Sequence, residues 1–220
     1  MPRDFRQAVN DLDKERLQLL YGRWDPLEPA AFAALTTASP PVRWHVAGGR
    51  AARVGAEPRH HDDTDIAIAM ADLRRLRLAF ADWHLWEAND GALRPLLPGV
   101  PLTETCEQLW ARRDADHPWQ LDLLLDRASS ETEWIFKRDH SVRLPWDQAA
   151  QTVAGIRYLR PEIALLHKAR LDRPKDRADL AAARLDPVGR AWLVATLERL
   201  GHDDWARRAR DGERGAASGG

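Results

Sequence analysis

Apolar and polar residues alternate along this chain in two rhythms, and the rhythm changes partway. Phe5, Val9, Leu12, Leu19 and Leu20 form a stripe that predicts an amphipathic helix over the first twenty residues. A short helix is predicted over 29–35, ended by Ser39-Pro40-Pro41. Period-two alternation around Trp44 and Val46 predicts a strand over 43–47, which stops at Gly48-Gly49 and gives way to a short helix through Val54. A second strand is predicted over 64–70. A helix follows over 72–82 with Asp72 as its N-cap. Residues 83–94 predict a hairpin turning at Asn89-Asp90-Gly91. Residues 107–112 and 119–126 predict paired strands across a polar turn, and 133–137 one strand more.

After about residue 145 the helical rhythm takes over. Helices are predicted over 147–152, 161–170, 176–184, 187–200 and 203–210, with one brief extended piece at 156–159. Residues 212–220 lack apolar anchors and read as a disordered tail. The fold class is therefore α+β: a mixed domain over 1–145, a helical region over 146–211 and a tail. No internal repeat is visible.

Composition narrows the functional classes. The chain has 220 residues, 44% of them hydrophobic and 30% charged, enough for a core under a hydrated surface. A net charge of −1 argues against a general nucleic-acid coat protein. No apolar run reaches the roughly 18 residues of a membrane span, and the charged N-terminus has no signal-peptide core. Cys106 is the single cysteine, which excludes an intramolecular disulfide and argues against a cysteine-based zinc site. The expectation is a cytoplasmic protein with no membrane partner. The ten tryptophans are spread along the chain and read as core and rim packing.

The densest chemistry lies in 48-GGRAARVGAEPRHHDDTDI-66. Asp63 and Asp65 fall on one face of the predicted strand, continued by Ala67 and Ala69. Ile66, Ile68 and Met70 take the other face, and Asp62 points away. Two adjacent carboxylates repel unless they are solvated or bridged by a cation, and magnesium is the hard dication that takes such oxygens beside phosphate. Gly48-Gly49 ends a strand and opens a helix, where backbone N–H groups can approach an anion. A third carboxylate, Asp122, stands among leucines in 119-WQLDLLLD-126. Burial obliges it to find a partner. Either an arginine pairs with it, or it joins Asp63 and Asp65 from a neighbouring strand. Asp126, at the strand end, is the weaker candidate.

These residues together resemble the nucleotidyltransferase superfamily with the DNA polymerase β-like fold, in particular its aminoglycoside and lincosamide adenylyltransferase branch. The matching elements are Gly48-Gly49, Arg59-x-His61-x-Asp63-Thr64-Asp65, and Asp122. The segment 160-RPEIALLHKARLDRPKDRADL-180 is also similar, and the likeness spans roughly residues 42–205. The resemblance implies a mixed twisted sheet flanked by helices, followed by a helical region. It implies magnesium held by Asp63, Asp65 and Asp122, and a nucleoside triphosphate, ATP above all, as co-substrate. Gly48 and Gly49 would present amides to its phosphates. Asp122 would serve as general base or as a metal ligand only. Arg59 would reach a phosphate or pair with the motif aspartates, and Lys168 would contact phosphate or simply face solvent. His61 would orient the aspartate loop, and His60 would be solvated. The family often has an aromatic residue where this chain has Arg50. The implied acceptor is a hydroxyl of a small molecule such as an aminoglycoside- or lincosamide-like antibiotic. A tRNA or protein acceptor, as in toxin-type members, and an inactive nucleotide-binding protein are the competing readings.

Overall fold

The structure is a computed structural model that describes residues 21–36, 42–57 and 59–217. The helix expected over the first twenty residues and the break at 39–41 lie outside them. Elements run in the order α1 (Pro29–Thr36), β1 (Trp44–Val46), α2 (Gly48–Ala52), β2 (Asp65–Ala69), a 3-10 turn (Met70–Asp72), α3 (Leu73–Ala79), β3 (His84–Asn89), β4 (Ala92–Pro95), β5 (Gln108–Arg112) and β6 (Leu121–Asp126). There follow β7 (Glu133–Ile135), β8 (Arg143–Pro145), α4 (Trp146–Ala149), β9 (Ala150–Val153), β10 (Ile156–Leu159), α5 (Pro161–Ala169), α6 (Pro174–Ala182), α7 (Pro187–Arg199) and α8 (Asp203–Ala217). The α+β class is observed, with mixed strand pairing. No helix among the described residues is long and apolar enough to cross a membrane.

The chain divides into two compact units, Met1–Trp44 with His61–Arg127, and His45–His60 with Ala128–Gly220. The division thus falls after residue 127 rather than 145, and residues 45–60 group with the later part of the chain.

In the first unit the strand order is β4-β3-β5-β6-β2. Only β2 and β6 run parallel, in the register Asp65↔Asp122 through Ala69↔Asp126. The β3–β4 hairpin turns on Asp90 and Gly91, both at positive φ (51° and 73°), the two-residue turn that matches strand twist. One sheet face is apolar and buried: Ile66, Ile68, Leu85, Leu109, Leu121 and Leu123. Phe32 of α1, together with Leu76 of α3 and Phe80 just beyond it, completes that core, with Phe32 and Phe80 ring to ring at 5.7 Å. Asp72 precedes α3 but makes no side-chain cap. Its buried carboxylate accepts instead from Arg43 N (3.0 Å), Arg43 Nε (2.7 Å) and Arg75 Nη1 (2.6 Å). Two guanidinium groups within reach outcompete the helix amides for an ionised acceptor.

In the second unit β1 pairs parallel with β10 at Val46↔Tyr158, and β10 pairs antiparallel with β9. The helix expected over 147–152 is therefore only the four residues of α4, and the chain turns into a hairpin at Ala154-Gly155. The extended piece expected at 156–159 is β10, and β9, where a helix is expected, pairs with it. The hub is α5, in which every residue but His167 is buried. The last helix continues to Ala217, so residues 212–217, expected to be a tail, are helical.

Candidate functional site

Strand alternation builds the candidate site in the first unit. Asp65 is the first residue of β2, and its in-register partner on the parallel neighbour is Asp122. Ile66 and Ile68 anchor β2 to the core, as Leu121 and Leu123 anchor β6, so both aspartates must project from the opposite face. Asp63 lies two residues upstream. One carboxylate oxygen from each of Asp63, Asp65 and Asp122 lies within 4.8 Å of the others. Asp62 is exposed and does not take part. Of the two readings of Asp122, the structure has the neighbouring-strand carboxylate, not a pair with arginine.

Asp122 is 7% exposed. Its Oδ2 accepts from Gln108 Nε2 at 2.6 Å, and its Oδ1 is buried with no hydrogen-bond partner. Burial first, and then the charges of Asp65 and Asp63, push this carboxyl well above the ordinary aspartate range; only the Gln108 amide works the other way. Three carboxylates gathered this closely, one of them buried with an unsatisfied oxygen, fit a hard divalent cation, which would remove the repulsion. Asp126 faces Ala69 four residues on and is outside the cluster.

The other expected site residues lie in the second unit. Gly48 and Gly49 are the first two residues of α2, with Gly48 at φ 57° and Gly49 buried. The first N–H groups of a helix have no partner within it. Arg50, in the same helix, is half-buried. Arg59 grips Asp179 in a fork, Nε to Oδ1 at 2.9 Å and Nη2 to Oδ2 at 3.1 Å. Lys168 is buried and bridges Asp176 and Asp179, each at 3.1 Å. Arg53 adds a second bond to Asp179 Oδ1 at 2.8 Å, and Arg173 closes on Asp176 at 2.7 Å. Burial opposes the charge on Asp179, but the hydrogen bond from Arg59 and the charge of Lys168 outweigh it and hold the carboxyl at about 2. Lys168 is therefore not a solvated lysine; it neutralises two buried aspartates. The scarcity of lysine in this sequence marked the position, but its partners lie eight and eleven residues on, across a helix break that the sequence does not orient.

Sequence reasoning missed Gln108 and Trp110. Both are on β5, facing Leu124 and Asp122 respectively across the β5–β6 pair. The signal that would have found them is register, which alternation alone leaves undetermined. Comparison with protein-family models and with curated proteins finds no match.

Proposed function

We propose that the chain is a magnesium-dependent nucleotidyltransferase that moves a nucleoside monophosphate, AMP the expected group, from a nucleoside triphosphate to a hydroxyl of a small molecule. The observation that carries this is the convergence of Asp63, Asp65 and Asp122 on one face of a parallel strand pair, with Asp122 Oδ1 buried and unsatisfied. A structural ion pair would have brought an arginine to Asp122, whereas its side chain accepts from the neutral amide of Gln108.

Asp63, Asp65 and Asp122 would hold the cation, which when bound offsets phosphate charge and favours ionisation of a nearby hydroxyl. The chain's own residues do the rest. Gln108 fixes the rotamer of Asp122 through Oδ2 and leaves Oδ1 for the acceptor. The acceptor oxygen bonds to the α-phosphorus as the bond to pyrophosphate breaks, and the hydroxyl proton passes to Asp122 Oδ1. Gly48 and Gly49 are proposed to present backbone N–H groups to phosphate.

The test is pyrophosphate release from each nucleoside triphosphate, with magnesium and a panel of hydroxylated acceptors. Loss of release in Asp63→Ala supports the reading, and undiminished release in that variant overturns it. A tRNA or protein that is modified in place of any small molecule would move the chain to the toxin-type reading. Calorimetry that finds neither magnesium nor nucleotide binding would make it a non-catalytic protein.

A further inference from the structure

Across β5 from the carboxylates, the same sheet face is paved with indole rings. Trp110 stands directly opposite Asp122, and Trp86 of β3 directly opposite Trp110. The β5–β6 register pairs Ala111 with Leu121, yet Gln120 N also donates to Ala111 O, so two residues of one strand face one of the other. That bulge changes the alternation and turns Trp119 onto the Asp122 face, where its ring meets Trp110 at 5.6 Å and Trp86 at 6.0 Å. Trp24 and Tyr21 meet Trp110 edge-on at 5.0 and 5.8 Å. Trp119 is buried, but Trp24, Trp86 and Trp110 remain half-exposed.

Arg112 Nε, Trp110 Nε1 and Asp122 Oδ1 on this face are buried without a hydrogen-bond partner, and the last two are directly opposite and complementary. Trp110 Nε1 is a donor only, and Asp122 Oδ1 is an acceptor when ionised. They belong to residues facing each other across an antiparallel pair, where side chains are neighbours. The one common group that accepts from an indole N–H and donates to a carboxylate at the same time is a hydroxyl. Buried polar atoms left unpaired are costly, and such costs concentrate where a ligand completes them.

The charge on this face restricts the ligand further. By alternation β5 presents Gln108, Trp110 and Arg112 here, and β3 presents His84, Trp86 and Ala88, so neither strand offers an acid. The Arg112 guanidinium lies over the Trp119 and Trp86 rings at 4.4 and 5.6 Å. A polyamine would meet the Arg112 cation beside the rings, and beyond the metal set this face carries a carboxylate at Asp126, at the far end of β6. A nucleic-acid strand would need several cations along its backbone, and among the described residues β3 and β5 present only Arg112 and His84 here. A neutral ring with an apolar face and hydroxyl rim suits half-exposed indoles.

We propose that Trp110 is the acceptor-selecting residue: a neutral, pyranose-like hydroxylated ring lies against Trp110 and Trp86, with its reacting hydroxyl held between Trp110 Nε1 and Asp122 Oδ1. This rests on the nucleotidyltransferase reading and names its substrate class. Trp110→Phe keeps a ring and removes the donor; Trp110→Leu removes the ring as well.

The experiment uses the full chain with magnesium and ATP. Its probes are a neutral methyl pyranoside, a polyamino sugar and an RNA hairpin with a free 3′ end. Calorimetry for magnesium–ATP and pyranoside quenching of tryptophan fluorescence are measured alongside transfer. The expected result is transfer to the pyranoside, a KM for it raised roughly tenfold in Trp110→Phe and further in Trp110→Leu, weakened quenching in both, and ATP affinity unchanged. Preference for the polyamino sugar or the RNA, transfer to none of the three, an unchanged KM in both variants, or an equal loss of ATP affinity would overturn the proposal. If the wild-type chain binds no magnesium–ATP, the nucleotidyltransferase reading itself fails. If it binds and transfers with Trp110 silent, only the acceptor assignment fails.

Discussion

Asp65 and Asp122 face each other in register across two parallel strands, with Asp63 close enough that all three present an oxygen within 4.8 Å. No fold gains stability from gathering two carboxylates around a buried third. The expected outcome for Asp122→Asn is therefore a protein that is more stable without metal at neutral pH, by about 1–3 kcal/mol, because a buried charge and its repulsion disappear. The amide oxygen can still accept from Gln108. Transfer should fall by about 10²–10⁴-fold. Thermal unfolding with and without magnesium checks both halves: the ion should raise the midpoint of the wild-type chain and leave that of the variant unchanged. A destabilised Asp122→Asn would show that the cluster is structural.

In the second unit two buried aspartates sit among four basic side chains: Lys168, Arg53, Arg59 and Arg173. Asp179→Ala would leave three of these cations facing a buried gap and should cost about 3–5 kcal/mol. Lys168→Met should cost less, about 2–3 kcal/mol, since each aspartate keeps an arginine. Urea unfolding midpoints measure both changes. Lys168→Met should leave nucleotide affinity unaltered, and a large fall in that affinity at unchanged stability would restore the phosphate-contact role.

Acid should destabilise the fold through two imidazoles. Burial, helped by Arg157, drives His45 down to about 3, stacked on Trp146 at 4.5 Å. Loss of water around the half-buried His167 ring, which packs on Phe136 at 5.0 Å, does the same there, helped by Arg138 and Lys137. In the unfolded chain both titrate near 6.5, so between about pH 3 and 6.5 the unfolded state binds more protons and stability rises with pH. Each group contributes a slope of up to about 1.4 kcal/mol per pH unit. Asp122 acts in the opposite sense. Its raised pKa lets the folded state keep a proton that the unfolded chain loses above about 3.8. Stability measured from pH 4 to 7 should therefore climb more steeply in Asp122→Asn than in the wild-type chain. A flat profile would mean that these imidazoles are hydrated in the folded state.

What the sequence made legible was whatever depends on one strand or one turn. Alternation placed Asp63 and Asp65 on one face of β2, set Asp122 against its leucines, and found the Asp90-Gly91 hairpin. What it left open depends on pairing between strands. The Asp65↔Asp122 register, the Trp110↔Asp122 pair and the bulge that turns Trp119 over are set by neighbours distant in sequence. The tryptophans, spread along the chain, read as packing because the gathering of Trp24, Trp86, Trp110 and Trp119 on one face is a property of the sheet order. The charge on Asp72 misled for a related reason: a local cap was the nearest use for it, but Arg43, twenty-nine residues earlier, took it.

Gly189 tests how rigidly the buried acid of α5 is held. Asp186 caps α7 by accepting from Gly189 N at 2.7 Å, so Gly189 is in the first helical turn. A Cβ added there would lie 2.9 Å from Glu162 Cδ and Oε1 and 3.1 Å from Oε2. Glu162 is 5% exposed, and its carboxylate is 3.0 Å from Arg160 Nε, so the obstructing atoms cannot swing into solvent without breaking that contact. Two effects compete in Gly189→Ala. Alanine gains up to about 1 kcal/mol of helix propensity. Forcing the buried carboxylate aside costs about 1–3 kcal/mol. The loss should win in the wild-type background, giving a net destabilisation of about 1–2 kcal/mol. In a Glu162→Ala background the obstruction is gone, and the same substitution should stabilise by up to about 1 kcal/mol. The double-mutant cycle isolates the contact by that change of sign. Stabilisation in both backgrounds would show that Glu162 moves aside freely and that glycine is not required here.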